Sequence, residues 1–128
     1  MITYQKEPHL SAEEFRDVLI RSTLGERRPI DDTACISKMV ANADIIFTAR
    51  NNGKLVGVSR SISDFAFCTY LSDLAVDVDY QKQGIGKELI RLTKLELPNV
   101  KLILLAAPAA REYYPKIGMT QFEYCFVL

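Results

Sequence analysis

The stretch that decides the fold is Leu71–Lys87, which reads LSDLAVDVDYQKQGIGK. Its first half is rich in apolar and β-branched residues and predicts a strand, and its second half is polar up to Gly84 and Gly86. A helical pattern follows over Gly84–Leu97, and Pro98 ends it because proline cannot continue a helix. The sequence therefore predicts a strand, a glycine turn and a helix, in that order.

A turn of this kind is suited to binding an anion. The first N–H groups of a helix have no partner within the helix, and they carry the positive end of the helix dipole. Glycine allows an anion to approach the backbone closely. Lys82 and Lys87 flank the turn and add two full positive charges. The residues therefore predict a phosphate-binding turn.

Two common phosphate-binding motifs do not fit the sequence. The dinucleotide motif requires a third glycine where this chain has Leu89, and an acidic residue near the end of the next strand, whereas Lys101–Ala106 contains none. The P-loop requires Ser or Thr after its lysine, whereas Glu88 follows Lys87. The turn must therefore belong to another class of phosphate-binding motif.

The pattern that does fit is Q-x-x-G-x-G over residues 81–86, preceded by LAVD at Leu74–Asp77 and followed by KELI at Lys87–Ile90. A second segment, AREYYPKIGM at Ala110–Met119, comes after a strand-length apolar run at Val100–Leu105. Together these two motifs resemble those of the GNAT superfamily of acyl-CoA-dependent N-acyltransferases. The resemblance covers the C-terminal half of the chain, and the order of elements before it agrees.

The resemblance implies an α/β (α+β) fold: a mixed, mostly antiparallel central sheet, flanked by helices, with one parallel β-α-β pair that splays apart. The expected strands are Ile2–Gln5, Ile45–Arg50, Leu55–Ser63, Phe67–Val78, Val100–Leu105 and Gln121–Leu128, with a hairpin turn at Asn51–Lys54. The expected helices begin at Ser11, at Asp31 or Asp32 and at Gly84, and a short one spans Ala109–Lys116. We expect a single domain over residues 1–128. The family commonly has one strand more, which a partner subunit could supply.

The resemblance also implies a co-substrate, acetyl-CoA, and no metal. The pantetheine arm would pair with the strand backbone, and the pyrophosphate would bind the amides of the turn. Ala107 stands where relatives often place an asparagine that contacts pantetheine. The implied cofactor-binding residues are Leu74, Ala75, Val76, Gln81, Lys82, Gln83, Gly84, Ile85, Gly86, Lys87 and Ala107.

Two residues are candidates for catalysis. Tyr114 corresponds to the tyrosine that protonates the departing thiolate in many relatives, and a neutral phenol suits that role. The alternative is that Tyr114 has only a packing role on its helix, the role that we expect for its neighbour Tyr113. Asp73, in the predicted central strand, could accept the proton of the amine, directly or through water. Equally, its carboxylate could be satisfied by the backbone or by an arginine.

Acceptor binding is predicted for three residues. Arg27 and Arg28 fall in the loop that, by resemblance, covers the acceptor, and arginines there could bind a carboxylate or phosphate. The alternative is a solvated surface loop. Tyr70 is the third. Tyr70 and Asp64 are also lesser candidates for the general base, on neighbouring segments expected to face the pocket.

Composition narrows the class of protein further. The 128 residues carry 16 basic and 16 acidic side chains, so no net charge favours nucleic acid or an anionic membrane. We expect a cytoplasmic protein, since the first residues lack the apolar core of a signal peptide. Cys35, Cys68 and Cys125 are expected to be buried and unpaired. His9 is the only histidine, which argues against a histidine metal site.

These observations predict an acetyl-CoA-dependent N-acetyltransferase. The acetyl group would pass by direct attack to a primary amine of a small molecule or peptide, and the resemblance allows a homodimer. The alternative is a non-catalytic acyl-CoA-binding regulatory module. Transfer through a cysteine is disfavoured, because neither motif contains one.

Overall fold

One five-stranded sheet lies at the centre of the computed structural model, which describes all of residues 1–128. Its strands, in spatial as in chain order, are β1 (Ile2–Lys6), β2 (Ile45–Asn51), β3 (Lys54–Ser63), β4 (Cys68–Val76) and β5 (Lys101–Leu104). Neighbours are antiparallel except β4 and β5, which are parallel. The predicted hairpin turn is present, and Asn52 and Gly53 both have positive φ, 49° and 88°.

Four α-helices flank the sheet: α1 (Ala12–Arg21), α2 (Thr33–Ala41), α3 (Ile85–Glu96) and α4 (Tyr113–Lys116). Ser11 and Asp32 begin the first two, since their side chains accept from the backbone N–H groups of Glu14 at 3.1 Å and Cys35 at 2.9 Å. Both caps were predicted. None of these helices combines the length and the apolar character needed to cross a membrane.

The two faces of the sheet are covered by different helices. Helices α1 and α2 cover one face, with Leu10, Phe15, Val18, Leu19, Ile36, Val40, Ile46, Leu55, Val58 and Ala75 in the core. Helix α3 covers the other, with Ile45, Phe47, Ala49, Val56, Ile85 and Leu89. Ala75 of β4 lies in the first core, and Leu74 and Val76 pack against the second, so the end of β4 is fixed to both cores.

The predicted strand at Gln121–Leu128 is wrong. The segment has no strand partner, and Phe122, Tyr124 and Phe126 are exposed. Its apolar and aromatic residues favour a strand, but that preference is realised only against a neighbouring strand. Cys125 is exposed and not buried as expected, whereas Cys35 and Cys68 are half-buried.

The predicted helix at Ala109–Lys116 is divided in two. A 3₁₀ turn spans Pro108–Ala110, and α4 begins only at Tyr113. Within a continuous helix, the ring of Pro115 would clash with the carbonyl of Arg111, four residues earlier, so the helix starts after that carbonyl.

Candidate active site

A cleft opens where β4 and β5 part. The two strands pair from Cys68 with Lys101 to Leu71 with Leu104, and β4 then continues to Val76 without β5 beside it. The cleft has a volume of about 60 Å³. It is lined by Leu24, Arg28, Leu71, Ser72, Leu74, Leu104, Leu105, Ala107, Ala110 and Tyr114. The cleft therefore brings together residues from four separate segments of the chain.

A β-bulge at Ser72 lies beside this opening. Arg60 pairs with Asp73 and Ser61 with Leu71, so Ser72 is the extra residue of β4. Bulges of this kind bend a strand and redirect its side chains. The Ser72 carbonyl accepts from Arg28 at 2.8 Å, and its hydroxyl accepts from Arg60 at 3.0 Å. The sequence carries no sign of this bulge, and Ser72 was not among the predicted site residues.

The glycine turn joins the end of β4 to α3. Lys82 and Gly84 both have positive φ, 63° and 82°, and the first helical bond runs from the Glu88 amide to the Gly84 carbonyl at 3.0 Å. The amides at residues 85–87 therefore have no acceptor within the helix. Lys82, Gln83 and Lys87 are exposed beside them. This arrangement is suited to an anion.

The turn is held to the sheet by two side chains. Gln81 donates to the Val76 carbonyl at 3.0 Å. Asp77, 1% exposed, accepts from the Asp79 amide at 2.9 Å and from Arg21. Burial acts to raise the pKa of Asp77, but these donors outweigh it, so the pKa lies below its ordinary value. Asp77 was quoted with the first motif but was given no role by the sequence.

Tyr113 and Tyr114 are neighbours with different surroundings. Their rings meet edge to face, with centroids 5.3 Å apart, and only Tyr114 lines the cleft. The Tyr113 hydroxyl lies against α3, 3.4 Å from where a side chain at Gly86 would begin. Burial raises the pKa of both hydroxyls, and for Tyr114 proximity to Tyr113 adds to it. Tyr114 is thus a protonated phenol at the edge of the cleft at neutral pH.

Asp73 is fully buried and paired with two arginines. One carboxylate oxygen accepts from Arg28 Nε at 2.5 Å and the other from Arg60 Nε. Arg60 also lies over the Phe15 ring, 5.9 Å from its centroid. The sequence left two interpretations of Asp73 open, a proton acceptor or a carboxylate satisfied by the backbone or an arginine. The geometry is that of a carboxylate satisfied by arginine. Arg60 could have been found from its cross-strand position opposite Asp73.

The other predicted acceptor residues are separated by the fold. Arg28 lines the cleft, whereas Arg27 is exposed and does not. Tyr70 is half-buried, outside the cleft, in a cross-strand row. Asp64, a lesser candidate for the base, caps its own loop, accepting from three backbone amides at residues 66–68, and those bonds lower its pKa.

The predicted cofactor residues follow the opening in order. Leu74 and Ala107 line the cleft, Ala75 is buried beneath α1 and Val76 is half-buried at the end of the strand. Ile85, the first residue of α3, is buried in the core between that helix and the sheet. No group of three His, Cys, Asp or Glu side chains lies close enough to hold a metal ion.

Parted parallel strands, with a glycine turn at the end of one of them, define an acyltransferase fold of the GNAT type. The family model for the acetyltransferase (GNAT) domain matches residues 42–120, more than half of the chain. The chain therefore belongs to the GNAT acetyltransferase family.

Individual relatives agree with this assignment. GCN5-related N-acetyltransferase 2 of Arabidopsis thaliana is 34% identical over 70 residues, which make up 51% of this chain and 26% of that protein. The chain thus spans about a quarter of the length of this curated relative.

Solved structures share the fold along the whole chain. A GNAT-family acetyltransferase from Streptococcus pneumoniae superposes with a TM-score of 0.79 at 20% identity, covering 100% of this chain and 96% of the other. The aminoglycoside N-acetyltransferase AAC(6')-Iy, solved in complex with CoA, gives 0.76 at 15% identity, covering 100% and 93%. At these identities the comparison establishes the fold.

Proposed function

We propose that the chain transfers an acetyl group from acetyl-CoA to a primary amine by direct attack. The observation that carries this is the position of Tyr114. Tyr114, a protonated phenol, lines the cleft that opens beside β4, and the same strand leads directly into the anion-binding turn. One continuous path therefore joins a diphosphate site to a proton donor.

Acetyl-CoA would lie along this path. The backbone of Leu74–Val76, which has no strand on the β5 side, offers hydrogen-bonding groups to an extended pantetheine arm. The amides of residues 83–87 and the ammonium groups of Lys82 and Lys87 would bind the diphosphate. A side chain at Gly86 would narrow that site, since it would begin 3.4 Å from the Tyr113 hydroxyl.

The chemistry needs a proton donor for the thiolate and hydrogen-bond donors for the oxyanion. The neutral amine attacks the thioester carbon, the carbon–sulfur bond breaks, and the thiolate takes the proton of Tyr114. The attacking nitrogen loses its own proton to water, and solvent reprotonates Tyr114. Free backbone N–H groups of β4 beyond Leu71 would stabilise the oxyanion. No cysteine lines the cleft, which supports direct transfer.

Asp73 is assigned no role as a base in this proposal. Both of its oxygens are occupied by arginines, so its contribution is to hold Arg28 at the cleft. Arg27 is likewise left out, because its side chain lies outside the cleft.

The test is transfer measured directly. Acetyl-CoA is incubated with the protein and a panel of primary amines, thiol release is followed, and the acetylated amine is identified by mass spectrometry. Acetylated product that depends on the protein supports the proposal. Tight binding of acetyl-CoA with no product from any amine would instead indicate the non-catalytic module.

A further inference from the structure

Arg28 is the only charged side chain that lines the cleft, and the rest of the lining is mostly apolar. Its guanidinium is held from three directions: Nε donates to Asp73 at 2.5 Å, Nη1 to the Arg27 carbonyl at 2.8 Å and Nη2 to the Ser72 carbonyl at 2.8 Å. A guanidinium fixed by three partners is a rigid part of the cleft wall.

The charge around Arg28 is not neutralised. Asp73, with 0% of its side chain exposed, lies between Arg28 at 22% and Arg60 at 8%. Two positive charges and one negative charge leave a net charge of +1 on this cluster. No acidic side chain lines the cleft to balance it. The cleft therefore attracts an anionic group and repels an acceptor that carries several positive charges.

Arg28 also has N–H donors that are not bonded within the protein. A guanidinium has five N–H groups, and three are used within the protein, so each terminal nitrogen keeps one N–H. Two N–H groups on a planar fork match the two oxygens of a carboxylate.

An apolar row lies next to the charged cluster on the sheet. Ile62 pairs with Tyr70, and Tyr70 pairs with Ile103, so these side chains line up across three strands. Ile62 and Ile103 are 41% and 48% exposed. Leu105, two residues beyond Ile103, is 51% exposed and lines the cleft itself. An acceptor bound at Arg28 would thus meet apolar surface as well.

We infer that the acceptor is an apolar α-amino acid, whose carboxylate binds Arg28 while its amine faces the thioester. This inference rests on the proposed acetyl transfer and names its substrate class. It assigns Arg28 to acceptor specificity, and Asp73 and Arg60 to positioning Arg28.

The decisive comparison uses three amines that share one apolar chain: L-leucine, L-leucinamide and 3-methylbutylamine. They differ only in carrying a carboxylate, an amide or hydrogen at the same carbon. Because hydrogen bonds between charged groups are the strong ones, we expect kcat/KM for leucine to exceed the other two by about 10- to 100-fold. The phosphonate analogue of leucine distinguishes a carboxylate site from a general anion site, and should be the poorer substrate.

Variants then locate the effect. Arg28→Gln should abolish the preference, so that kcat/KM for leucine in this variant equals that for leucinamide, and Arg28→Lys should restore part of the difference. Arg91→Gln, on the exposed face of α3, is the matched control and should behave as wild type. The inference is overturned if leucinamide or 3-methylbutylamine matches leucine, if spermidine is preferred to all three, or if leucine is not acetylated although acetyl-CoA binds.

A binding measurement keeps this inference separate from the proposed function. The Nη–H signals of Arg28, which include the two N–H groups free for a ligand, are followed by NMR in the free protein while leucine or leucinamide is added. A shift with leucine alone supports the carboxylate site even if acetyl-CoA fails to bind, which would remove only the acetyl transfer. The absence of any shift with leucine would overturn the site.

Discussion

The two halves of β4 are one strand with two different surroundings. Over Thr69–Leu71 the strand has a neighbour on each side, β3 and β5. Over Ser72–Val76 it pairs with β3 alone, and the side that β5 has left becomes the wall of the cleft. The difference shows how a sheet provides a binding edge, since backbone groups without a strand partner are free for a ligand.

The half of β4 at Ser72–Val76 has no strand on the β5 side and is the unpaired half of the strand. It is held in place by ion pairs instead of a second neighbour. Asp73 at its start binds Arg28 and Arg60, and Asp77 just after its end binds Arg21. These arginines come from α1, from the loop after it and from β3. Both ends of the open edge are thus fixed to the helical layer above it.

The largest expected effect concerns the tyrosine that faces the unpaired half. Tyr114→Phe removes the proton donor, so kcat should fall by about 10²- to 10⁴-fold, as is typical for loss of a general acid. Acetyl-CoA affinity measured by calorimetry should be retained. Tyr113→Phe is the matched control for kcat at saturating acetyl-CoA, since that hydroxyl lies outside the cleft, beside Gly86, and its kcat should stay close to wild type. A wild-type rate in Tyr114→Phe would refute the assignment.

The next effect breaks the anchor at the start of the unpaired half. Asp73→Asn leaves the buried Arg60 and the half-buried Arg28 without their counter-charge, which should lower the free energy of unfolding by about 3–5 kcal/mol. Urea denaturation measures it. Asp17→Asn, which removes an exposed partner of Arg21, should cost at most about 1 kcal/mol. A loss of no more than about 1 kcal/mol in Asp73→Asn would show that the anchor is not needed.

A pH titration tests the region far from the cleft. The Arg50 guanidinium bonds to Glu7 and holds its pKa at about 2, below the ordinary 4.5. A lowered pKa means that the stabilisation is complete above pH 4.5 and is lost as the pH falls towards 2. The difference in unfolding free energy between wild type and Glu7→Gln should therefore shrink by about 3 kcal/mol over that range.

Glu7→Gln also bears on the comparison of the two halves of β4. The residue follows β1, on the opposite edge of the sheet from β5. The acetyl-CoA affinity of the Glu7→Gln variant at pH 7 should therefore equal that of wild type. A pH-independent difference in stability would contradict the role of Arg50.

The smallest effect compares two glycines with positive φ. Gly84→Ala and Gly53→Ala each place a side chain in the left-handed region, at φ 82° and 88°, with open space around it. Each should lose about 1–2 kcal/mol of stability. Only Gly84→Ala, at the start of α3, should also weaken binding of CoA in calorimetry. Equal CoA affinity in the two variants would argue against the turn as the diphosphate site.

Much of the fold could be predicted because local patterns and the family motifs agree. The caps at Ser11 and Asp32, the hairpin at Asn52–Gly53 and the strand-turn-helix order around Gly84 all depend on short-range chemistry. The wrong strand at Gln121–Leu128 shows the limit, since a strand also needs a neighbour that no local pattern reveals.

The candidate site could be predicted in part. Its turn and Tyr114 belong to motifs, and Arg28 was proposed from its loop, but the bulge at Ser72 has no sequence pattern. The pairing of Asp73 with both Arg28 and Arg60 joins residues 45 and 13 positions apart. Such contacts depend on how α1 and β3 pack on β4, and this packing cannot be predicted from local sequence patterns.

Calorimetric titration with CoA and with pantetheine tests the central claim most directly, because the two ligands share the arm but only CoA carries the diphosphate. With three amides that have no acceptor within the helix and two lysines at the turn, CoA should bind at least about 100-fold more tightly than pantetheine. Equal affinities, or no heat with CoA, would contradict the account.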